Sequence, residues 1–253
     1  MEIVKLTIKA KLILFFVLSA SNIFCQTNTI KFLTDLGTNY DYSYSIELQS
    51  DGKVIQAGDA WGTPCMIRFN LDGILDNTFG TGGKVFAPWS CGSNPSDNDI
   101  VCQPDGKIIL GASYFNGNDE DFIVARYNSD GTLDNSFGAG GKVITPIGLY
   151  NDICNAIAIQ SDGKILAAGG TNNASASNYK YDFALVRYSI NGEIDTTFGT
   201  NGVVITNIGL ENNIAYSRVV QPDDKVILVG EANDGMFSDF AVVRYRPDGA
   251  LDN

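Results

Sequence analysis

Four short strings recur along the chain and constrain its fold more than any other feature. They are Gln49-Ser-Asp-Gly-Lys53, Gln103-Pro-Asp-Gly-Lys107, Gln160-Ser-Asp-Gly-Lys164 and Gln221-Pro-Asp-Asp-Lys225. Each leads into an apolar run ending in glycine, at Gly58, Gly111, Gly169 and Gly230. A second landmark follows: Arg68-Phe69, Arg126-Tyr127, Arg187-Tyr188 and Arg244-Tyr245. A third is LDNTFGTGG from Leu75, LDNSFGAGG from Leu133 and IDTTFGTNG from Ile194, with Leu251-Asp252-Asn253 opening a fourth. Gln to Arg takes 19, 23, 27 and 23 residues, whereas Arg to the next Gln takes 35, 34 and 34. One half of the unit is therefore rigid in length and the other carries the insertions. Self-similarity at a fixed period signals a repeat architecture.

Each unit reads as four short strands. In the second unit these are Ile100–Gln103, Lys107–Ala112, Phe122–Tyr127 and Lys142–Thr145. Asp-Gly supplies the positive φ angles that tight hairpins need. No stretch beyond the N-terminal segment sustains a helical period. Strands of this length with a turn signal every ten or so residues indicate an all-β protein. A period of about 55 residues with four strands in each indicates a β-propeller of four-stranded blades. The units fall near 38–89, 97–146, 152–207 and 213–253, with residues 31–35 as a lone fourth strand. Lys31 lies 18 residues before Gln49, as Lys142 lies 18 before Gln160, so that strand is expected to complete another blade and close a sheet edge. The fourth unit stops inside its third landmark. The expectation is a chain cut short of a larger ring, with a closed four-blade ring as the alternative.

Residues 1–25 read as a secretory signal. Lys5, Lys9 and Lys11 precede the apolar run Leu12–Ala20, which is too short to span a bilayer. Cleavage fits after Ser21, with Ser19 and Ser21 as the small flanking residues, or after Cys25, and Asn22-Ile23-Phe24 lacks the small residues of a lipidation site. The remainder, 26–253, is the repeat region, and it is expected to be secreted or held at the cell surface with no membrane span. Removal of residues 1–25 leaves 14 basic and 28 acidic side chains, a charge of −14. Such a chain cannot neutralise phosphates, which excludes nucleic acid as a partner. Histidine is absent, so Ser-His-Asp, Cys-His and HExxH chemistry are excluded. No Cys-x-x-Cys occurs, and Asn116–Asp121 lacks EF-hand spacing, so neither a metal nor a cofactor is expected. Cys65 and Cys102 align with Ile123 and Ile159 and read as small buried hydrophobes. Cys91 and Cys154 lie in variable connections and can pair in an oxidising compartment.

The combination Q-x-D-G-K, D-F-x-x-x-R-Y and D-G-x-L-D-x-x-F-G-x-x-G resembles the delta-60 repeat family over residues 31–253. That resemblance implies a secreted or surface bacterial propeller and brings no established reaction or ligand. Asp224 in place of a turn glycine, Asn191-Gly192 in place of Asp-Gly, and Thr63 in place of the Asp before strand three depart from the pattern. Asp and Asn tolerate left-handed geometry.

The chain aligns with itself, and a residue present in every unit is needed to build every blade. Asp51, Asp105 and Asp162 are read as turn residues, and Phe79, Phe137 and Phe198 as plugs between blades. Arg68, Arg126, Arg187 and Arg244 are read as structural cations paired with carboxylates such as Asp134, Asp195 and Asp252. Function is expected where units differ, in the gaps between strands two and three and in the connections from strand four to the next strand one. Both emerge on one face of an up-and-down blade, opposite the invariant turns. Binding residues concentrate on variable loops held by a rigid scaffold. That face would present Trp61, Trp89, Tyr114, Phe115, Tyr150, Tyr179, Tyr181 and Phe237, rings suited to stacking on sugars or gripping a peptide. The expected role is a binding or scaffold module for a glycan, surface polymer or protein, with no catalytic residue assigned. The alternatives are a propeller lyase or hydrolase working with Asp, Glu, Tyr or Arg, and a spacer within a longer surface protein. Glu120, Glu193, Glu211 and Glu231 are the unit-specific carboxylates that an enzyme would draw on.

Overall fold

The computed structural model describes residues 34–37, 40–91, 98–174 and 180–252. They form fifteen strands in four antiparallel sheets, with no helix among the described residues. The first sheet is β1 (Asp41–Leu48), β2 (Val54–Ala60), β3 (Thr63–Phe69) and β4 (Lys84–Phe86). The second is β5 (Asp99–Cys102), β6 (Ile108–Phe115), β7 (Glu120–Tyr127) and β8 (Lys142–Thr145). The third is β9 (Asp152–Ile159), β10 (Ile165–Asn172), β11 (Tyr181–Tyr188) and β12 (Val203–Thr206). The fourth is β13 (Asn213–Val220), β14 (Val226–Asn233) and β15 (Ser238–Tyr245). Strands follow chain order within every sheet, so each repeat unit is one up-and-down blade of a β-propeller. The expected strand at 31–35 falls largely outside the described residues, as do residues 1–25. Among the described residues no strand pairs with the outer edge of β15.

The hairpin β1–β2 turns at Asp51-Gly52, where Gly52 has φ 86° and Asp51 Oδ1 accepts from the Lys53 amide at 3.1 Å. Asp105 and Asp162 repeat that bond onto Lys107 and Lys164. Asp224 stands where the other units have glycine and takes φ 60°, so the turn survives. The strands flanking the opposite loops run further than expected. β2 and β3 are joined by Trp61-Gly62 alone, and β6 extends through Tyr114 and Phe115. Apolar alternation stops before pairing does at this end, because the last ladder positions are polar, as at Asp59 and Asn172.

Three hydrophobic clusters fill the spaces between successive sheets, and each contains one recurring phenylalanine: Phe79, Phe137 or Phe198, all fully buried. Above each ring sits the arginine of the same unit, its guanidinium 4.5 Å from Phe79, 4.8 Å from Phe137 and 4.4 Å from Phe198. Arg68, Arg126, Arg187 and Arg244 pair through Nε with Asp76, Asp134, Asp195 and Asp252 of their own blades, at 2.8, 2.7, 2.9 and 2.6 Å. The lysine of each Q-x-D-G-K string joins the same carboxylate: Lys53, Lys107, Lys164 and Lys225 at 2.9, 2.9, 3.2 and 3.1 Å. The other end of the guanidinium crosses to the next blade. Arg68, Arg126 and Arg187 donate through Nη1 to the backbone carbonyls of Ser129, Ile190 and Pro247. Beside them Gly80, Gly138 and Gly199 donate amides to Asp130, Asn191 and Asp248. Gly131, Gly192 and Gly249 let the rings approach, since a Cβ at Gly192 would lie 2.9 Å from Phe137. The repeated residues are thus a fastening between neighbours, and they all lie on the face of the Q-x-D-G-K turns.

Cys91 and Cys154 are both buried free thiols, which corrects the expectation that they can pair. Cys91 instead approaches Asp59 and the Gly62 carbonyl within its own blade, and Cys154 packs between the second and third sheets. Cys65 is buried as expected, and Cys102 is half-buried against the first core cluster.

The fastening generates a stability prediction. Arg187→Ala leaves Asp195 without its buried partner and should cost roughly 3–5 kcal/mol in urea unfolding. Arg244, whose side chain is 46% exposed, has no acceptor beyond its own blade among the described residues, so Arg244→Ala should cost clearly less. Equal losses would contradict the bridging role.

Candidate functional site

On the opposite face the connections between blades rest on the strand two–three turns. Cys91 donates its amide to the Gly62 carbonyl, Phe115 to Ser90 and Tyr150 to Asn172. Of the eight aromatic residues expected there, Trp61, Phe115 and Phe237 are exposed, and Tyr114 and Tyr150 are half-buried. Trp89 and Tyr181 are buried and offer no ring to solvent; Lys142 Nζ lies 5.8 Å from the Trp89 ring. Tyr179 lies outside the described residues.

Trp61 departs most from local rules. It occupies a two-residue turn at φ 51°, a conformation that costs a non-glycine residue on the order of 1 kcal/mol and that Asn or Gly would fill more cheaply. It is 61% exposed and stacks on Tyr40, with ring centroids 5.7 Å apart and planes 13° from parallel. Tyr40 leads into β1, and Tyr42 and Tyr44 form a second stack at 6.3 Å.

β1 carries these rings towards a cleft of about 430 Å³ where the innermost strands β1, β5, β9 and β13 converge. Tyr44, Ser45, Asn98, Asp99, Tyr216 and Arg218 are among its lining residues. Asp99 links all four blades. Its Oδ1 accepts from Ser45 Oγ at 2.6 Å, and its Oδ2 accepts from the Ile157 amide at 2.9 Å and from Arg218 Nη2 at 2.8 Å. Asn98 donates to the Gly58 carbonyl at 2.8 Å and Asn155 to Ala215 at 2.9 Å. Tyr216 donates its hydroxyl to Glu231 at 2.9 Å. Sequence reasoning passed over Asp99 and Arg218 because the inner strands read as core. The signal was present: four residues before each Gln, the units carry Ser45, Asp99, Ala156 and Ser217, one charge among small side chains.

A second group of carboxyls sits where the second and third blades meet. Glu120, Asp121 and Asp152 are all buried. Asp152 braces the connection into β9 by accepting from the Ile147 and Gly148 amides and from Thr171 Oγ1. Asn151 Oδ1 accepts the Glu120 amide at 3.2 Å. Burial pushes Glu120 up to about 7 and, against its hydrogen bonds, Asp152 up to about 6; it also raises Asp121. Glu193 lies beyond β11 among the invariant loops, away from Glu120. Among the described residues no cluster of three or more Cys, Asp or Glu is arranged to hold a metal ion.

These carboxyls and the paired aspartates set opposite slopes against pH. Glu120 and Asp152 hold their protons above the unfolded values near 4, so the folded state binds more protons and stability falls as pH rises from about 4 until it passes about 6 and 7. The Thr197 hydroxyl, followed by the Thr197 amide, Lys164 and Arg187, holds Asp195 down at about 2, and the Ser136 hydroxyl likewise holds Asp134 well below the usual carboxylate range. Their contribution is complete above pH ~4 and is lost as pH falls towards 2. Melting temperature should therefore peak near pH ~4, where the two limbs meet. Glu120→Gln should flatten the alkaline limb and leave the acid limb in place. An unchanged alkaline limb would contradict the burial argument.

Comparison with known proteins places the chain. A family model described as a domain of unknown function (DUF5122) beta-propeller matches residues 49–79, 103–137, 160–198 and 221–253, one match for each blade. Comparison with curated protein sequences gives no match. Among solved structures, the chain is similar to the PQQ-bound aldose sugar dehydrogenase of Streptomyces coelicolor, with TM-score 0.48 and 15% identity over 87% of this chain and 64% of that one. It therefore spans less than two thirds of that enzyme's length. It is also similar to a GH43_12 protein retrieved from a capybara gut metagenome, with TM-score 0.46 and 7% identity over 83% of this chain and 41% of that one. A catalytically inactive virginiamycin B lyase from Staphylococcus aureus with quinupristin gives TM-score 0.44 and 10% identity over 87% and 71%. The four matches fall on the four sheets and include every arginine, aspartate and phenylalanine of the fastening that the structure describes, and on that ground the chain belongs to the DUF5122 β-propeller family.

Proposed function

We propose that the chain is an exported binding module that holds a surface glycan on its variable loops and performs no reaction of its own. The observation that carries this reading is Trp61: a large ring held in a left-handed turn, exposed, and stacked parallel to Tyr40. Strain at a position where a smaller residue would serve better points to a role outside folding. An exposed aromatic face suits the apolar face of a sugar ring. The Lys5–Ala20 pattern supports export, and the resemblance to delta-60 repeats supports a place at a bacterial surface. Among the described residues no helix is long and apolar enough to cross a membrane.

Binding of the purified chain to a glycan array tests the reading. Trp61→Ala should weaken any hit by roughly 3- to 10-fold, the worth of one stacked ring. Trp61→Asn should weaken it as much while raising the melting temperature, because Asn relieves the turn. A Trp61 that served packing would give the reverse, a lowered melting temperature and unchanged binding. Glu120 supports a second reading, since a buried carboxyl near 7 suits a general acid. Turnover of a bound glycan that Glu120→Gln abolishes would favour a lyase or hydrolase over a binding module.

A further inference from the structure

The fourth sheet repeats the residues of an inter-blade face, and it leaves them in water. Phe122 of β7 and Phe183 of β11 are fully buried against the following sheet, whereas the equivalent Phe240 of β15 is fully exposed at 101%. Val124 and Leu185 are buried, and their equivalent Val242 is 68% exposed. In β6 the equivalent of Val229 is Gly111, whose added Cβ would lie 3.1 Å from the Ile157 Cβ of the next blade. Val229 is 39% exposed. The surface is therefore continuous in pattern with the three interfaces already formed, and its natural occupant is another blade of the same repeat.

The first sheet offers the matching half. Ile46 of β1 is the equivalent of Ile157 and is 53% exposed, with Leu48 open beside it; Cys65 and Ile67, further out on that sheet, are already buried. The chain also enters β1 as it enters an internal blade. Leu36 donates its amide to Asp41 Oδ2 at 3.0 Å, five residues on, as Ile147 donates to Asp152 Oδ2 at 2.7 Å. Lys84 Nζ reaches the Asp35 carbonyl at 2.7 Å, as Lys142 reaches over Trp89 in the next connection. Ile46 and Val229 are open in the same molecule, so its own first and fourth sheets do not cover each other.

We propose that the open face of the fourth sheet receives the first sheet of a second copy of this chain, head to tail, with Phe240, Val242 and Val229 packing on Ile46 and Leu48. Val229 is larger than Gly111, so these sheets stand slightly further apart than the second and third. The contact is heterologous and closes a ring only if the rotation permits. Two copies would supply eight blades, within the usual propeller range of about four to eight. The inference is independent of the glycan reading.

Light scattering of the full chain across micromolar concentrations reads the outcome. A mass of twice the 27.2 kDa chain is expected, and Phe240→Asp with Val242→Asp should return it to one chain with the β-sheet circular dichroism spectrum unchanged. Register is read by mixing two variants, Ile46→Cys and Val229→Cys, under oxidation. Their Cβ atoms should come within the ~4 Å that a disulfide needs, giving a mixed cross-linked dimer. A single-chain mass at every concentration would overturn the proposal. So would a double variant that cross-links within one chain, which would mean that the molecule covers its own open face. Assembly that survives the Asp substitutions would also overturn it, because the contact would then lie elsewhere.

Discussion

Everything in this fold hangs on a guanidinium that serves two blades at once. Nε is held by a carboxylate of its own unit, the planar face lies on the phenylalanine that plugs the next interface, and Nη1 reaches the neighbouring backbone. A lysine could fill only one of these roles, because it lacks the flat fork that permits stacking and directed bonding together. The lysine of the hairpin and the hydroxyl two residues beyond the aspartate complete the neutralisation of the carboxylate. Almost every letter of the repeat thus has a physical reason within one fastening. The recurring glutamine is explained in part: Gln49 and Gln160 accept weakly from Arg68 and Arg187, at 3.4 and 3.5 Å.

Concentrating the fastening on one face leaves the other free. Turns as short as Trp61-Gly62 and as long as the segment between β10 and β11 are accommodated without altering the inter-blade bonds. The loop face accordingly holds the features that work against stability: a tryptophan at positive φ and carboxyls raised by burial. They sit on strands whose lower ends are pinned, which is how a rigid scaffold supports local strain.

The blades were legible because a repeat supplies its own alignment. Positions filled by the same residue in three or four units announced turns, plugs and paired cations, and Arg126 with Asp134 is found as expected from that logic. The aromatic loop residues were legible only as a set. Whether a ring points out or packs down depends on the neighbouring loop, so Trp89 and Tyr181 are buried while Trp61 and Phe237 are exposed. Asp99 and Arg218 escaped because a single charge in an apolar strand gives no period to read. The reading also ended strands too early towards the variable loops, since backbone pairing continues through polar residues such as Asp59 and Asp121 once the ladder is established.

Asp99 alters how such an array comes apart. Repeat proteins joined only to their neighbours behave as one-dimensional chains, and their end units fray without disturbing the middle. Here a single carboxylate in the second blade is bonded to the first, third and fourth, and Arg218 spans from the fourth blade past the third to meet it. Peeling away the fourth sheet would strip a cation from a buried anion two units distant. The cost of losing an end is then carried by the centre, and the four blades are bound to melt as one cooperative unit instead of unravelling from an edge.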